Sequence, residues 1–238
     1  MDEIILGDAY ELIKKIPDKS VDLIVTDPPY LMPNNGLLRT RYMKRGYHSE
    51  IETIADGFDE SILGEFVRVM NGINIYIWCN KEQILRYMEY FVRDRGCRFE
   101  IIIWGKTNPI PMANNHYLPD KEYCLLFRGK DIPLKPTFDT ARTIYMTEVN
   151  KADKELYGHP TIKPEQIIEN LILNSSKEGD VVFDPFSGSG TTCAVAKRLG
   201  RHYIGFEISP RWHKVSLDRL EGITQKEAEL GYVQERLF

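Results

Sequence analysis

Apolar residues recur along this chain in two periods. Short runs near residues 2–6, 21–25, 73–79, 98–104, 122–127, 180–184 and 202–206 read as seven strands. Helical spacing separates several of them. Tyr10, Leu12, Ile13 and Ile16 follow Gly7-Asp8, residues 59–70 and about 81–94 continue the alternation, and a final helix spans about 209–220 after Ser209-Pro210. Another helix opens at His159-Pro160-Thr161-Ile162-Lys163-Pro164 and runs to about Ser175, with Pro164 suited to its first position and Glu165 to its first turn. Alternating strands and helices predict an α/β fold. Periodicity fails twice, over about 31–58 and about 129–160, so the span 105–160 is read as loop, one strand and then insertion.

Two strand ends stand out chemically. Val21–Val25 runs into Thr26-Asp27-Pro28-Pro29-Tyr30, at the carboxyl end of a strand, where open α/β sheets place their sites. Two fixed proline rings stiffen this turn and delete two N–H donors, leaving the Asp27 carboxylate and nearby carbonyls as acceptors. Beside them Tyr30 offers a flat face. Acceptors next to an aromatic ring describe a holder for an amino-bearing ring such as adenine or cytosine. An Asp-Pro-Pro-Tyr tetrapeptide arises by chance in roughly one chain in a thousand of this length, so the motif is fairly specific but needs a partner. A rigid turn with a solvated Asp27 remains the competing reading.

The partner lies at the other end of the chain. Asp180–Phe183 leads into Asp184-Pro185-Phe186-Ser187-Gly188-Ser189-Gly190-Thr191-Thr192, a glycine-rich turn that lets the backbone approach a ligand and aims free N–H groups at it. After the following strand stands Glu207, placed as the acid that grips ribose hydroxyls in a nucleotide-binding fold. Asp8, at an earlier strand–helix junction, reads first as a helix N-cap. Neither the Gly-Lys-Ser/Thr of a phosphate-binding loop nor the third small residue of a dinucleotide fingerprint is present.

Composition narrows the function. A chain of 238 residues, 42% hydrophobic, fits one large domain. No apolar run approaches a membrane span and the start lacks the basic head of a signal peptide, so a cytoplasmic protein is expected. Cys79, Cys97, Cys124 and Cys193 have neither disulfide nor metal spacing and are expected to be buried apolar residues. A net charge of −4 leaves any nucleic-acid binding to local patches. One such patch follows Tyr30: Arg39, Arg41, Lys44 and Arg45, interleaved with Tyr42 and Tyr47, in a stretch without an acid from Pro28 to Ser49. Arg128, Lys130, Lys135 and Arg142 form a looser group at the second insertion.

With these motifs the chain resembles the amino-methylating DNA methyltransferases that use S-adenosylmethionine, in their permuted β arrangement. Asp27-Pro28-Pro29-Tyr30 is similar to the family's catalytic motif, Phe183–Gly190 to its cofactor loop and His159–Pro164 to the segment touching the methionine part. The catalytic motif comes first here, whereas RNA and protein methyltransferases with Asn-Pro-Pro-Tyr usually have the glycine loop first. The resemblance implies a doubly wound, mostly parallel, seven-stranded Rossmann-like sheet in circularly permuted order. It implies Asp8, Asp27, Thr161, Lys163, Asp184, Pro185, Phe186, Ser187, Gly188, Gly190, Thr191 and Glu207 around the cofactor, with Asp8 and Glu207 on the adenosine and Lys163 near the carboxylate. DNA is the expected partner, with a cognate restriction endonuclease and a homodimer as further expectations. The expected product is N6-methyladenine, since Asp mostly precedes Pro-Pro-Tyr in the adenine enzymes and Ser in the cytosine-N4 enzymes. Cytosine N4, an RNA or protein substrate, and a non-catalytic partner subunit stay open as alternatives.

Overall fold

The computed structural model describes residues 1–30, 59–109, 117–149, 151–159, 161–224 and 226–228. Among them, β1 (Glu3–Leu6), β2 (Leu23–Thr26), β3 (Asn74–Cys79), β4 (Arg98–Lys106), β5 (Lys121–Arg128), β6 (Ile144–Thr147), β7 (Val181–Asp184) and β8 (His202–Glu207) form one sheet in the order β1-β8-β7-β2-β3-β5-β4-β6. Seven strands run the same way; β5 alone is antiparallel to its neighbours β3 and β4. The expected α/β, mostly parallel sheet is present, with eight strands in place of seven. The additional one, β6, pairs Ile103 to Ile144 and Lys106 to Thr147 at the sheet edge, within the span expected to be irregular.

Strand residues alternate between two cores. Ile24, Ile75, Ile77, Phe127, Phe183 and Phe206 pack with α1 (Ala9–Leu12), α2 (Ile62–Val69) and α3 (Ile84–Tyr87). Their neighbours Leu23, Val25, Tyr76, Trp78, Leu126 and Val182 face α5 (Glu165–Ser175) and α6 (Thr191–Arg198) on the opposite side. Burial of both faces explains why β2, β3 and β7 read as continuous apolar runs. The helix expected over 81–94 changes winding after α3: Met88–Arg93 is a wider coil, in which the Asp94 amide bonds Glu89 O five residues back at 3.0 Å. Two further helices are α4 (Lys151–Tyr157) within the second insertion and α7 (Pro210–Leu220) after β8. No helix of the described residues is long and apolar enough to cross a membrane, and all four cysteines are free and buried.

The order of strands reverses between β7 and β2: the chain steps outward from β2 to β3, and from β7 to β8 in the other direction. A crevice at such a switch point is where doubly wound sheets take ligands. Asp8, Glu207, Asp184 and Asp27 therefore follow one another along the carboxyl edge, at the ends of β1, β8, β7 and β2.

Phe127 is fully buried on β5 and stacks on Phe91, with ring centroids 4.6 Å apart and planes at 17°. Phe127→Ala is expected to destabilise the protein by about 3–5 kcal/mol in urea unfolding. A loss below about 1 kcal/mol would show that this core collapses around the cavity.

Candidate active site

Asp27 follows the last residue of β2, and its ionic partner comes from the turn before α5. The Lys163 ammonium bonds Asp27 Oδ2 and stands 3.3 Å from Glu122 Oε2, while Glu122 Oε1 accepts from Lys106 Nζ. The Tyr30 hydroxyl donates to Glu122 Oε2 at 3.3 Å. Lys163 Nζ also lies 5.4 Å from the ring centres of both Tyr30 and Trp78, so its charge sits between two aromatic faces. Asp27 Oδ1 is buried and makes no hydrogen bond among the described residues. A buried acceptor with capacity to spare is costly, and it is positioned for a donor brought by a ligand.

The electrostatics separate the two carboxylates. Burial would raise Glu122, but Lys163 and Lys106 outweigh it and hold the acid at about 2. Burial raises Asp27, Lys163 opposes that rise, and the charge of Glu122 adds to it. Two carboxylates share one lysine, and only Glu122 has a second. Burial disfavours the charge on Lys163, yet Asp27 and Glu122 raise its pKa and keep it protonated.

Next along the edge is the glycine turn. Gly188 and Gly190 have φ of 51° and 74°, left-handed values that favour glycine. A Cβ on Gly188 would come within 3.2 Å of His159 Nε2, and one on Gly190 within 2.8 Å of Ser216 Cβ. Glu207 draws this turn onto β8: its Oε2 accepts from the Gly188 amide at 2.8 Å and its Oε1 from the Ser209 amide at 2.7 Å. Asp184 is buried beneath, accepting from the Phe186 amide at 3.2 Å. Burial raises its pKa to about 7 against hydrogen bonding by Thr26, the Phe186 amide and Thr192. Pro185, Ser187 and Thr191 are buried in the turn and its helix, and Phe186 packs partly on the core. Asp8 caps α1 through the Tyr10 amide at 2.8 Å, one residue beyond Gly7, whose amide bonds Glu207 O.

The structure thus gathers Asp27, Tyr30, Lys163, Asp184, Gly188, Gly190 and Glu207 along one edge, and Thr161 adjoins through His159. It puts the Lys163 ammonium on Asp27 and Glu122, a contact the sequence did not suggest. Arg39, Arg41, Lys44 and Arg45 lie outside the described residues. Arg128 ends the reversed strand, opposite Asn74 and Arg98 at the starts of β3 and β4, so Lys130 and its neighbours set out from the edge remote from Asp27.

Sequence reasoning missed three residues, Glu122, Lys106 and Arg219, and named His159 only as the start of the segment assigned to the methionine part. Glu122 and Lys106 adjoin on β5 and β4, and Glu122 is 92 positions from Tyr30. His159 rests edge-on against Trp212 with centroids 4.5 Å apart, its pKa lowered to about 3 by burial and then by Lys163. Arg219 of α7, almost wholly buried, bonds Thr191 at 2.8 Å and Glu165 at 2.7 Å, tying the glycine turn's helix to the first turn of α5. An unusually buried Arg can be noticed in sequence only as a cation on the apolar face of its helix.

A DNA methylase family model matches residues 21–218. The chain belongs to the N6/N4 DNA methylase family. It is 33% identical to the type II methyltransferase M.HinfI of Haemophilus influenzae, over 94% of this chain and 69% of that protein. It is 29% identical to M2.DpnII of Streptococcus pneumoniae, over 92% and 89%. The solved complex of M1.HpyAVI with SAM superposes with a TM-score of 0.66 at 26% identity, over 92% of this chain and 99% of that one. The cytosine-N4-specific PvuII methyltransferase shares the fold, with a TM-score of 0.69 at 19% identity over 91% and 85%. The chain is therefore a DNA methyltransferase of the amino-methylating kind.

Asp184 gives the methyltransferase a pH signature. A carboxyl raised from 3.8 to about 7 keeps its proton in the folded state. Its contribution to stability is full below the unfolded pKa and is lost as pH rises through about 7. Asp184→Asn is expected to melt like the unmodified protein near pH 4 and to gain at pH 8 by up to about 4 kcal/mol. A pH-independent difference in melting would remove Asp184 as the titrating group.

Proposed function

We propose that this methyltransferase transfers a methyl group from S-adenosylmethionine to the exocyclic N6 of adenine in DNA. The observation that carries the reading is the buried Asp27 Oδ1, without a hydrogen bond among the described residues, beside Tyr30 at the switch point next to a glycine turn. The residues fit the cofactor. Left-handed glycines at 188 and 190 let the backbone lie close to a ligand, and the Glu207 carboxylate is fixed in place to receive ribose hydroxyls. Asp8 borders the same end, and Thr161 and Lys163 border the other. When bound, S-adenosylmethionine supplies an electrophilic methyl carbon on a sulfonium.

The chain's own residues prepare the nitrogen. A target base flipped from the duplex stacks on Tyr30 and donates its amino hydrogens to Asp27 Oδ1 and the Pro28 carbonyl. Accepting both hydrogens favours a tetrahedral nitrogen, whose lone pair is no longer shared with the ring. Pro28 and Pro29 contribute no competing N–H, and Lys163 holds Asp27 by its other oxygen. The nitrogen sheds one proton on methylation, and Asp27, raised by burial, is the acceptor within reach. The stretch holding Arg39, Arg41, Lys44 and Arg45 leaves directly from Tyr30 and would meet phosphates. We read residues 1–238 as one catalytic domain. A restriction endonuclease partner is consistent with the type II methyltransferases among its relatives.

Asp27→Ala is expected to abolish methyl transfer to DNA while S-adenosylmethionine binding survives; substantial residual turnover contradicts the assigned role. Glu207→Ala is expected to leave a folded protein whose cofactor affinity by calorimetry falls by about 1.5–3 kcal/mol, and unchanged affinity removes Glu207 from the site.

Adenine is favoured over cytosine by Asp27 preceding Pro-Pro-Tyr, a resemblance and not a physical necessity, since the pocket accepts either amine. Digesting methylated DNA to nucleosides and weighing the products should give N6-methyladenine. N4-methylcytosine as the main species would overturn the base assignment and leave the amine mechanism standing.

A further inference from the structure

Glu122 is the first acidic residue of β5, the one reversed strand, and the antiparallel direction is what brings this end of β5 to the carboxyl edge beside Asp27. Its carboxylate is divided between two lysines and a phenol: Lys106 at Oε1, Lys163 and Tyr30 at Oε2. Along this chain of contacts the charges alternate, Lys106, Glu122, Lys163, Asp27, with a formal sum of zero. Both Lys106 and Glu122 are largely buried, with side chains 17% and 20% exposed. A lone carboxylate there would be expensive, and Lys106 offsets it.

We propose that Glu122, backed by Lys106, is a positioning residue for methyl transfer: it fixes the Tyr30 ring and the Lys163 ammonium, and through Lys163 the carboxylate of Asp27. The proposal rests on the reading of Asp27 and Tyr30 as amine acceptor and stacking face. Tyr30 closes a stiff turn but its ring can still rotate; its hydroxyl lies between Asp27 and Glu122, and the bond to Glu122 Oε2 draws it away from Asp27 and fixes the ring. Lys163 bonded to Asp27 alone could swing across both carboxylate oxygens and occupy Oδ1. Shared with Glu122, it is held on Oδ2, and Oδ1 stays open. Sites need such support to keep reacting groups within about half an ångström of the productive geometry. The competing explanation is a staple between β4 and β5 that serves stability only.

The full chain as Glu122→Gln, Lys106→Met and the double variant separates these. Glu122→Gln keeps size and an acceptor for Tyr30 but leaves one net positive charge; the double variant restores neutrality. With genomic DNA from a methylation-deficient bacterium as substrate, Glu122→Gln is expected to lower kcat roughly 10–100-fold, with cofactor affinity by calorimetry unchanged within about twofold. Adding Lys106→Met is expected to recover about tenfold of that loss, a rescue that independent stability effects do not produce. A melting loss with kcat intact, or a double variant as poor as the product of the two singles, overturns the proposal.

A second readout needs no turnover. The Asp27 carboxyl, followed by carbon-13 NMR and assigned with Asp27→Asn, is expected to titrate lower in Glu122→Gln, because a like charge has gone, and to move back up in the double variant. Asp27 is also faced by Asp184 from β7, Cys79 from β3, Tyr87 from α3, Cys124 from β5, Tyr30 and Lys163, which are the same in all these proteins. An Asp27 midpoint that ignores Glu122 also overturns the proposal. If the unmodified protein transfers no methyl to DNA, the reading of the site fails, and the Asp27 titration still decides whether Glu122 governs that carboxylate. Should Glu122→Gln not fold, Lys106→Met alone carries the test: a lower kcat and a higher Asp27 midpoint support the coupling, and neither change overturns it.

Discussion

The parallel pairing of β2 with β7, Leu23 to Val182 and Ile24 to Phe183, is the constraint on which the site depends. The sequence separates Asp27 from Asp184 by more than half the chain, and this pairing sets their strand ends side by side. Everything that builds the two cores therefore also sets the spacing between the Asp27 turn and the glycine turn. The switch point makes room there, because the helical connections leave the two strands in opposite directions. Thr192, at the start of α6, bonds the Val25 carbonyl at 3.3 Å, so the glycine turn's helix is attached to β2 as well as β7.

On that frame the chemistry is electrostatic. Four acids share the edge, and each is balanced differently: Glu207 by backbone amides, Asp8 by the Tyr10 amide, Asp184 by two threonines, an amide and a rise in pKa, Asp27 by a buried lysine. Only Asp27 keeps a buried oxygen without a bond among the described residues while its partner oxygen is ion-paired. That asymmetry suits a group that must remain in place and still accept hydrogens from outside. Lys163 supplies both halves, since its charge counters Asp27 and its position selects which oxygen is occupied.

Most of the frame was legible because burial writes itself into sequence as uninterrupted apolar runs at β2, β3 and β7. The turns were legible because proline pairs and closely spaced glycines constrain backbone. What escaped has physical reasons. Strand β6 is four residues long at an edge, with Ile144 and Met146 exposed, so it lacks the apolar signature of its neighbours. The direction of β5 leaves no mark on composition, and with it went the location of Arg128, which belongs to the edge remote from Asp27. Glu122 was invisible for the same reason: a carboxylate at the start of a strand looks solvated until the reversed strand carries it inward.

The same features that make the site reactive weigh against stability. Asp27 Oδ1 is buried without a hydrogen bond among the described residues, Asp184 is a carboxyl pushed toward neutrality, and Lys163 is a cation held between aromatic rings. Such features cost of the order of a kilocalorie or more each, and a chain selected for stability alone would replace them with apolar packing. They are concentrated at the carboxyl ends of β2 and β7, whereas the strand interiors beneath carry Ile24, Val25, Val182 and Phe183 packed without compromise. A fold that sets Asp27 at the end of a strand packed on both faces can hold a polar acceptor rigidly. Rigidity of the acceptor is what an amine with a delocalised lone pair requires, because the nitrogen changes shape only if its hydrogens are drawn to fixed points.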